Sequence, residues 1–189
     1  MVEELKKLDF KIMGVITKNY VVPNYEGVAL DSIISYKIED TKKITLLDIN
    51  DTNNLSTKNN SKLQLANTIN DKLIKLYDFS KGLNIKEINY FKLLFNKMTT
   101  KYDKRIILFS RDINFLAPIC DTFVIYDKKI VHKTNSIFDD KLYSYVDMPN
   151  IVKFIKLANK KGAELTETTD INELIKDIYR RLHAGKADA

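Results

Sequence analysis

The chain has 189 residues, 44% hydrophobic and 30% charged, a balance that suits one globular domain with at most an added lobe and excludes wholesale disorder. Five Gly and three Pro exclude collagen-like and turn-dense all-β designs, and a single cysteine, Cys120, excludes an internal disulfide. The 31 Lys and Arg outnumber the 25 Asp and Glu, giving a net charge of +6 that permits contact with nucleic acid or an anionic membrane without establishing either.

In chain order, Val2 to Leu8 reads as a short charged helix and Gly14-Val15-Ile16-Thr17 as a short strand. Asn19 to Gly27 is punctuated by Pro23, Asn24 and Gly27 and reads as loop. Val28 to Tyr36 carries a helix-compatible apolar stripe, and Ile44 to Ile49 fits strand or helix equally. The polar tracts 50–54 and 57–60 read as exposed loop on either side of Leu55-Ser56. From about residue 61 the pattern alternates. A helix over 61–71 leads to the apolar run 73–79. A helix carrying Ile85, Ile88, Phe91, Leu94 and Phe95 leads to strand 105–110. Helix 113–119 leads to strand 122–126, and Asp127-Lys128-Lys129 turns into Ile130-Val131. Such alternation predicts an α/β fold with a mainly parallel sheet and covering helices. Beyond residue 136 two helices follow, at 149–161 and 170–182. Pro149 opens the first, Gly162 closes it, and Asp170 caps the second with Glu173 three residues on. The tail 184–189 reads as disordered.

The segment 73–84 carries the most chemistry. An apolar strand ends in a carboxylate, Asp78, followed by a turn containing Gly82 and then a helix. In nucleotide-hydrolysing folds an acid in that place holds Mg²⁺ or orients the attacking water. A polar turn residue at a strand end is the plainer reading of the same carboxylate.

Several segments stand in a telling order. They are Met13 to Asn19, Leu55-Ser56 with Leu65-Ala66, residues 73–84, Arg105 to Val131, and Ser136-Ile137-Phe138 with Met148-Pro149. In that order they resemble the ATP-binding cassette (ABC) ATPases, above all the ATPase subunits of energy-coupling-factor (ECF) vitamin and metal transporters. Residues 73–84 align without a gap with the Walker B and D-loop pattern LLLLDEPTSGLD. Leu55-Ser56 and Leu65-Ala66 resemble remnants of the signature helix LSGGQxQRVxLA. Met13 to Asn19 resembles the strand entering the Q-loop, and Ser110-Arg111-Asp112 falls on the Thr-His-Asp of the H-loop. The resemblance implies a truncated P-loop-NTPase-like domain at 1–135, a small helical lobe at 136–183, and the tail.

Departures from the family pattern shape the functional expectation. No G-x-x-x-x-G-K-[ST] occurs, so the loop whose backbone amides and Lys cradle phosphates is missing. The alignment places the start of the chain past that loop. Tyr77 takes the Walker B acid position and Asp78 that of the catalytic Glu; a one-residue slip puts Asp78 on the Mg²⁺ position and Phe79 on the base. Lys18 stands at the Q-loop Gln, Arg111 at the H-loop His, Thr57 and Lys58 at the signature glycines, and Asn84 at the D-loop Asp. Removing several parts of one catalytic unit leaves little activity. The expectation is therefore a degenerate subunit unable to bind or hydrolyse ATP alone. It would have no cofactor of its own, and MgATP would be shared only where a partner supplies the phosphate loop. Asp78 is the candidate catalytic carboxylate. Ser56, Lys18 and Arg111 are the nucleotide-side candidates, and no metal site is expected.

The implied partners are an intact ABC ATPase subunit, a membrane transporter subunit, or both. A homo- or heterodimer is compatible, and no nucleic-acid partner is expected. An α/β interaction module outside transport, or the distal piece of a split ATPase, are the alternatives. Without a charged-then-apolar leader or a long apolar run, the chain is expected in the cytoplasm, at most peripheral to the membrane. In the parallel sheet of this family the phosphate-loop strand lies between the strands matching 105–110 and 122–126. Its loss predicts that these two pair directly or leave a slot for a partner. His132 and His183 read as lone surface histidines, Cys120 as an inert core thiol, and the lysines at 153, 156, 160 and 161 as a solvated helix face.

Overall fold

The structure, a computed structural model, describes residues 1–22, 36–37, 43–44, 64–65, 68 and 71–184. In chain order the elements are α1 (Val2–Leu5), β1 (Ile12–Ile16), β2 (Tyr36–Lys37), β3 (Lys43–Ile44), β4 (Leu73–Tyr77), α2 (Ile85–Lys101), β5 (Arg105–Phe109), α3 (Ile113–Leu116), β6 (Thr122–Asp127), β7 (Lys129–Thr134), α4 (Asn150–Lys160) and α5 (Ile171–Ala184). The helix predicted over 28–36 and the segment 45–49 fall outside the described residues, apart from Tyr36 in β2.

The protein has an α/β fold. Its main sheet has five strands in the order β4-β5-β1-β6-β7, all parallel except the β6–β7 hairpin. One expectation is overturned here. Strands 105–110 and 122–126 do not pair with each other, and no slot is left open, because β1 lies between them. Met13 is in register with Ile107 on one side and Thr122 on the other. An alternating apolar strand announces which side chains go inward but not which strands flank it. The likeness of Met13 to Asn19 to a Q-loop strand therefore gave β1 the wrong neighbours.

Period-two alternation explains the core. Ile12, Ile74, Leu76, Ile106, Leu108, Phe123 and Ile125 enter one core together with Phe91, Leu94, Phe95 and Met98, which recur at helical spacing on α2. Met13, Val15, Ile107, Phe109 and Val124 face the other way, onto Leu5 and Phe10. The central strands are consequently apolar on both faces, whereas the outer strands β4 and β7 alternate in burial. Gly14 permits this packing: a Cβ there would lie 3.1 Å from Cys120 Sγ and 3.2 Å from a Leu116 methyl. Asp121 fixes the start of β1 by accepting the backbone N–H groups of Ile12 (2.8 Å) and Lys11 (3.2 Å).

The β4 edge is closed by a side chain. Gln64, almost wholly buried, accepts the Tyr77 N–H at 2.7 Å and donates to the Tyr77 carbonyl at 2.9 Å. Its amide satisfies one edge residue as another strand would. Farther along, Val152 joins the main core, while Ile155, Leu165 and Leu174 build a small second one. Asp170 accepts the N–H groups of Asn172 and Glu173, and Gly162 has φ +86°, as the sequence predicts for a helix start and a helix stop. No helix among the described residues is long and apolar enough to cross a membrane.

Candidate functional site

In open parallel sheets, ligands bind beyond the carboxyl ends of the strands. Here β1, β4 and β5 end side by side, which brings three of the four predicted residues to one edge: Lys18, Asp78 and Arg111. The fourth, Ser56, lies outside the described residues. Asp78 extends the ladder by one bond, its N–H donating to the Phe109 carbonyl at 2.8 Å. It then turns the chain with φ +48°, a left-handed conformation that Asp tolerates better than most side chains. Lys81 N–H returns to the Asp78 carbonyl at 3.0 Å, and Gly82, with φ +77°, completes the turn into α2. Asn84 caps α2 by accepting the N–H groups of Lys86 and Glu87, and Glu87 accepts the Asn84 N–H in return.

The Asp78 carboxylate is already occupied. Lys81 Nζ lies 2.5 Å from one oxygen, and the Tyr20 hydroxyl donates to the other. Burial pushes the Asp78 carboxyl up. The hydrogen bonds from Lys81 and Tyr20, with the charges of Lys81 and Arg111, outweigh that and hold it below the ordinary value. Burial, then the bond to Asp78, pushes the Tyr20 hydroxyl well above its usual range, so it stays a donor. Tyr77 does not resemble a metal ligand in its setting. Its ring stacks on Phe109, with centroids 4.6 Å apart at 5°, and Tyr20 lies 6.0 Å from both rings.

The other strand ends are also tied. Arg111 donates to the Lys18 carbonyl at 3.1 Å, which joins the β5 end to the β1 end. Ser110 is buried and accepts the Asp112 N–H at 3.1 Å. Asp112 caps α3 through the Phe115 N–H at 3.2 Å, so the start of that helix faces a carboxylate of its own chain. A cleft of about 580 Å³ remains, lined by Tyr20, Val22, Asp78, Ser80, Lys81, Ser110, Arg111 and Asp112. Its volume suits a small ligand, but two of its groups are carboxylates already in use. Among the described residues no cluster of His, Cys, Asp and Glu has the makings of a metal site.

Sequence reasoning missed Tyr20, Lys81 and Gln64. Tyr20 lies in a segment read only as loop, and its bond to Asp78 spans 58 positions, so no local pattern announces it. Lys81 is three residues from Asp78, a spacing at which opposite charges meet in a tight turn, and that signal was present. His132 does have a partner. Its Nε2 lies 2.9 Å from Asp139, and its ring stacks on Tyr145 at 6.2 Å. Burial pushes the Cys120 thiol well up, in keeping with an unreactive core position.

No family model matches the chain, and no curated protein matches it significantly.

Proposed function

We propose that the chain is a degenerate ABC ATPase-like protein of ECF type, unable to grip or hydrolyse ATP by itself. It serves as a non-catalytic or regulatory partner of an intact ATPase subunit, a membrane transporter subunit, or both. The observation that carries this reading is the closed state of the strand-end carboxylate. Asp78 is bound by Lys81 and Tyr20, and the neighbouring position is an aromatic ring packed into the core. To reach Mg²⁺, Asp78 would have to exchange a cation already in contact for a hydrated one. The strand order takes β1, and Lys18 with it, out of the Q-loop place that the alignment gave them, and still leaves the proposal standing. β1 occupies the central place that the resemblance reserves for the phosphate-loop strand, yet the residues after it run Thr17-Lys18-Asn19-Tyr20-Val21-Val22. That run has no glycine to let backbone amides close around a phosphate, and Tyr20 is committed to Asp78.

Isothermal titration of the isolated chain with MgATP tests the proposal. The expected result is no saturable binding at millimolar nucleotide; micromolar affinity overturns it. The alternative of an α/β interaction module outside transport draws support from one feature remote from the cleft, the apolar side chains left bare on α5.

A further inference from the structure

The outer side of α4 carries charge of one sign around an apolar pair. Its inner side is filled by Val152 and Ile155, both fully buried, with Ile151 and Ala158 beside them. On the outer side Lys153, Leu157 and Lys160 follow one another at spacings of four and three, and Phe154, Leu157 and Lys161 at spacings of three and four. The two rows share Leu157, so the apolar pair and the three lysines lie on one face. Phe154 and Leu157 are 49% and 52% exposed. Lys156 lies at the flank, where it donates to the Phe138 carbonyl at 2.8 Å and pairs with Asp140. Lys153, Lys160 and Lys161 are exposed, and among the described residues their ammonium groups are unpaired. Asn150–Lys160 contains no Asp or Glu. One carboxylate, Asp147, lines the shallow groove that runs past Lys153, Leu157 and Lys160.

An occupant of this face must offer anionic groups beside an apolar layer. The 11 residues of α4 make a helix about 16 Å long, whose outer side covers on the order of 200 Å². That is far below the roughly 800 Å² per partner of a stable protein interface. A nucleic acid supplies phosphates but no apolar layer to take Leu157. A bilayer surface supplies both, lipid anions for the lysines and the acyl boundary for Phe154 and Leu157, and it needs no matching shape. Lysine suits that place, because its ammonium stays at the headgroups while its stem lies along the apolar boundary. No helix among the described residues is long and apolar enough to cross a membrane, so the contact is one of lying on the surface.

We propose that the outer face of α4 docks on an anionic lipid surface, with Phe154 and Leu157 entering the headgroup boundary and Lys153, Lys160 and Lys161 meeting lipid anions. The proposal goes beyond the nucleotide reading and does not rest on it. The full chain should pellet with vesicles of phosphatidylcholine containing about one-third phosphatidylserine, not with phosphatidylcholine alone, and its binding should fall as salt rises. Lys153→Gln/Lys160→Gln should bind the anionic vesicles about thirtyfold more weakly, which is about 1 kcal/mol per lysine. Lys7→Gln/Lys11→Gln removes the same charge beside α1, which packs on the other face of the sheet, and should bind within about threefold of wild type. Both pairs lie on the surface, so the far-ultraviolet circular dichroism spectrum should not change. The chain has no tryptophan, which makes Phe154→Trp a single reporter, and its emission should move to shorter wavelength on the anionic vesicles. A chain that does not bind the anionic vesicles overturns the proposal, including one that binds an acidic protein or an oligonucleotide instead. So does an equal loss in the two lysine pairs, or an emission that stays where it is in buffer.

Discussion

The strand-end cleft and the outer face of α5 invert the usual expectation of which surface awaits a ligand. At the cleft, polar groups meet partners from the same chain: Asp78 with Lys81 and Tyr20, Arg111 with the Lys18 carbonyl, Ser110 with the Asp112 N–H. On α5, four large apolar side chains, Ile171, Ile175, Tyr179 and Leu182, stay about half exposed or more. A ligand entering the cleft must first displace interactions already made, and the net gain from exchanging one hydrogen bond for another is small. A surface covering the stripe displaces only water, which is the favourable direction. The contrast sets a cleft whose polar groups are matched within the chain against a helix face whose apolar side chains stay half exposed.

The sharpest way to break the matched side is to remove a partner that cannot be replaced. Gln64 holds both backbone groups of Tyr77 in a buried setting. Gln64→Leu keeps the volume and strands an N–H and a C=O, so urea denaturation should show a loss of about 2–4 kcal/mol. A loss under about 0.5 kcal/mol would mean that the edge satisfies itself in another way.

A gentler cut tests the charge at the centre of the cleft. Asp78→Asn keeps a residue that tolerates positive φ and removes only the charge. The folded state holds the Asp78 carboxyl below its ordinary value, so it binds that proton less readily than the unfolded chain does. The stabilisation is therefore complete above the unfolded value of about 3.9 and is lost as pH falls through the lowered folded value. Thermal melts should place the variant about 1 kcal/mol below the wild type at neutral pH, with the gap closing under strong acid. A gap that persists unchanged at low pH would show that Lys81 and Tyr20 respond to shape alone.

Much of the fold was legible because its signals are local. The β6–β7 turn, the Asp170 cap and the Gly162 stop are each written within a few residues and stand where the sequence puts them. The strands β4, β5 and β6 were legible as apolar runs. The position of β1 was not, since the alternation in Ile12–Ile16 fixes its two faces and says nothing of its neighbours. The site divides along the same line. Asp78 stood out as a carboxylate at a strand end, and Arg111, named at the next strand end, lines the same cleft, whereas Lys18 reaches it only through its carbonyl, which accepts from Arg111. Of the two groups that hold Asp78, Lys81 lay within local reach, whereas Tyr20 was hidden because it arrives from beyond the end of β1, 58 positions away. Gln64 was hidden because a helix position opposite a sheet edge has no pattern of its own.

The smallest expected effect is the most discriminating for α5. Leu174 and Ile175 are consecutive, both aliphatic, and indistinguishable by composition, yet Leu174 is 8% exposed and Ile175 45%. If the outer stripe contributes nothing within one chain, Ile175→Glu should leave the melting of a dilute sample within about 0.5 kcal/mol of wild type, as surface substitutions generally do. Leu174→Glu would place a charge against Ile155 and Leu165 and should unfold the lobe. Equal destabilisation by both would mean that Ile175 is covered within the monomer, and the asymmetry between cleft and helix would vanish. An unequal pair, with Ile175→Glu silent and Leu174→Glu costly, places the outer stripe outside the core that holds the lobe together.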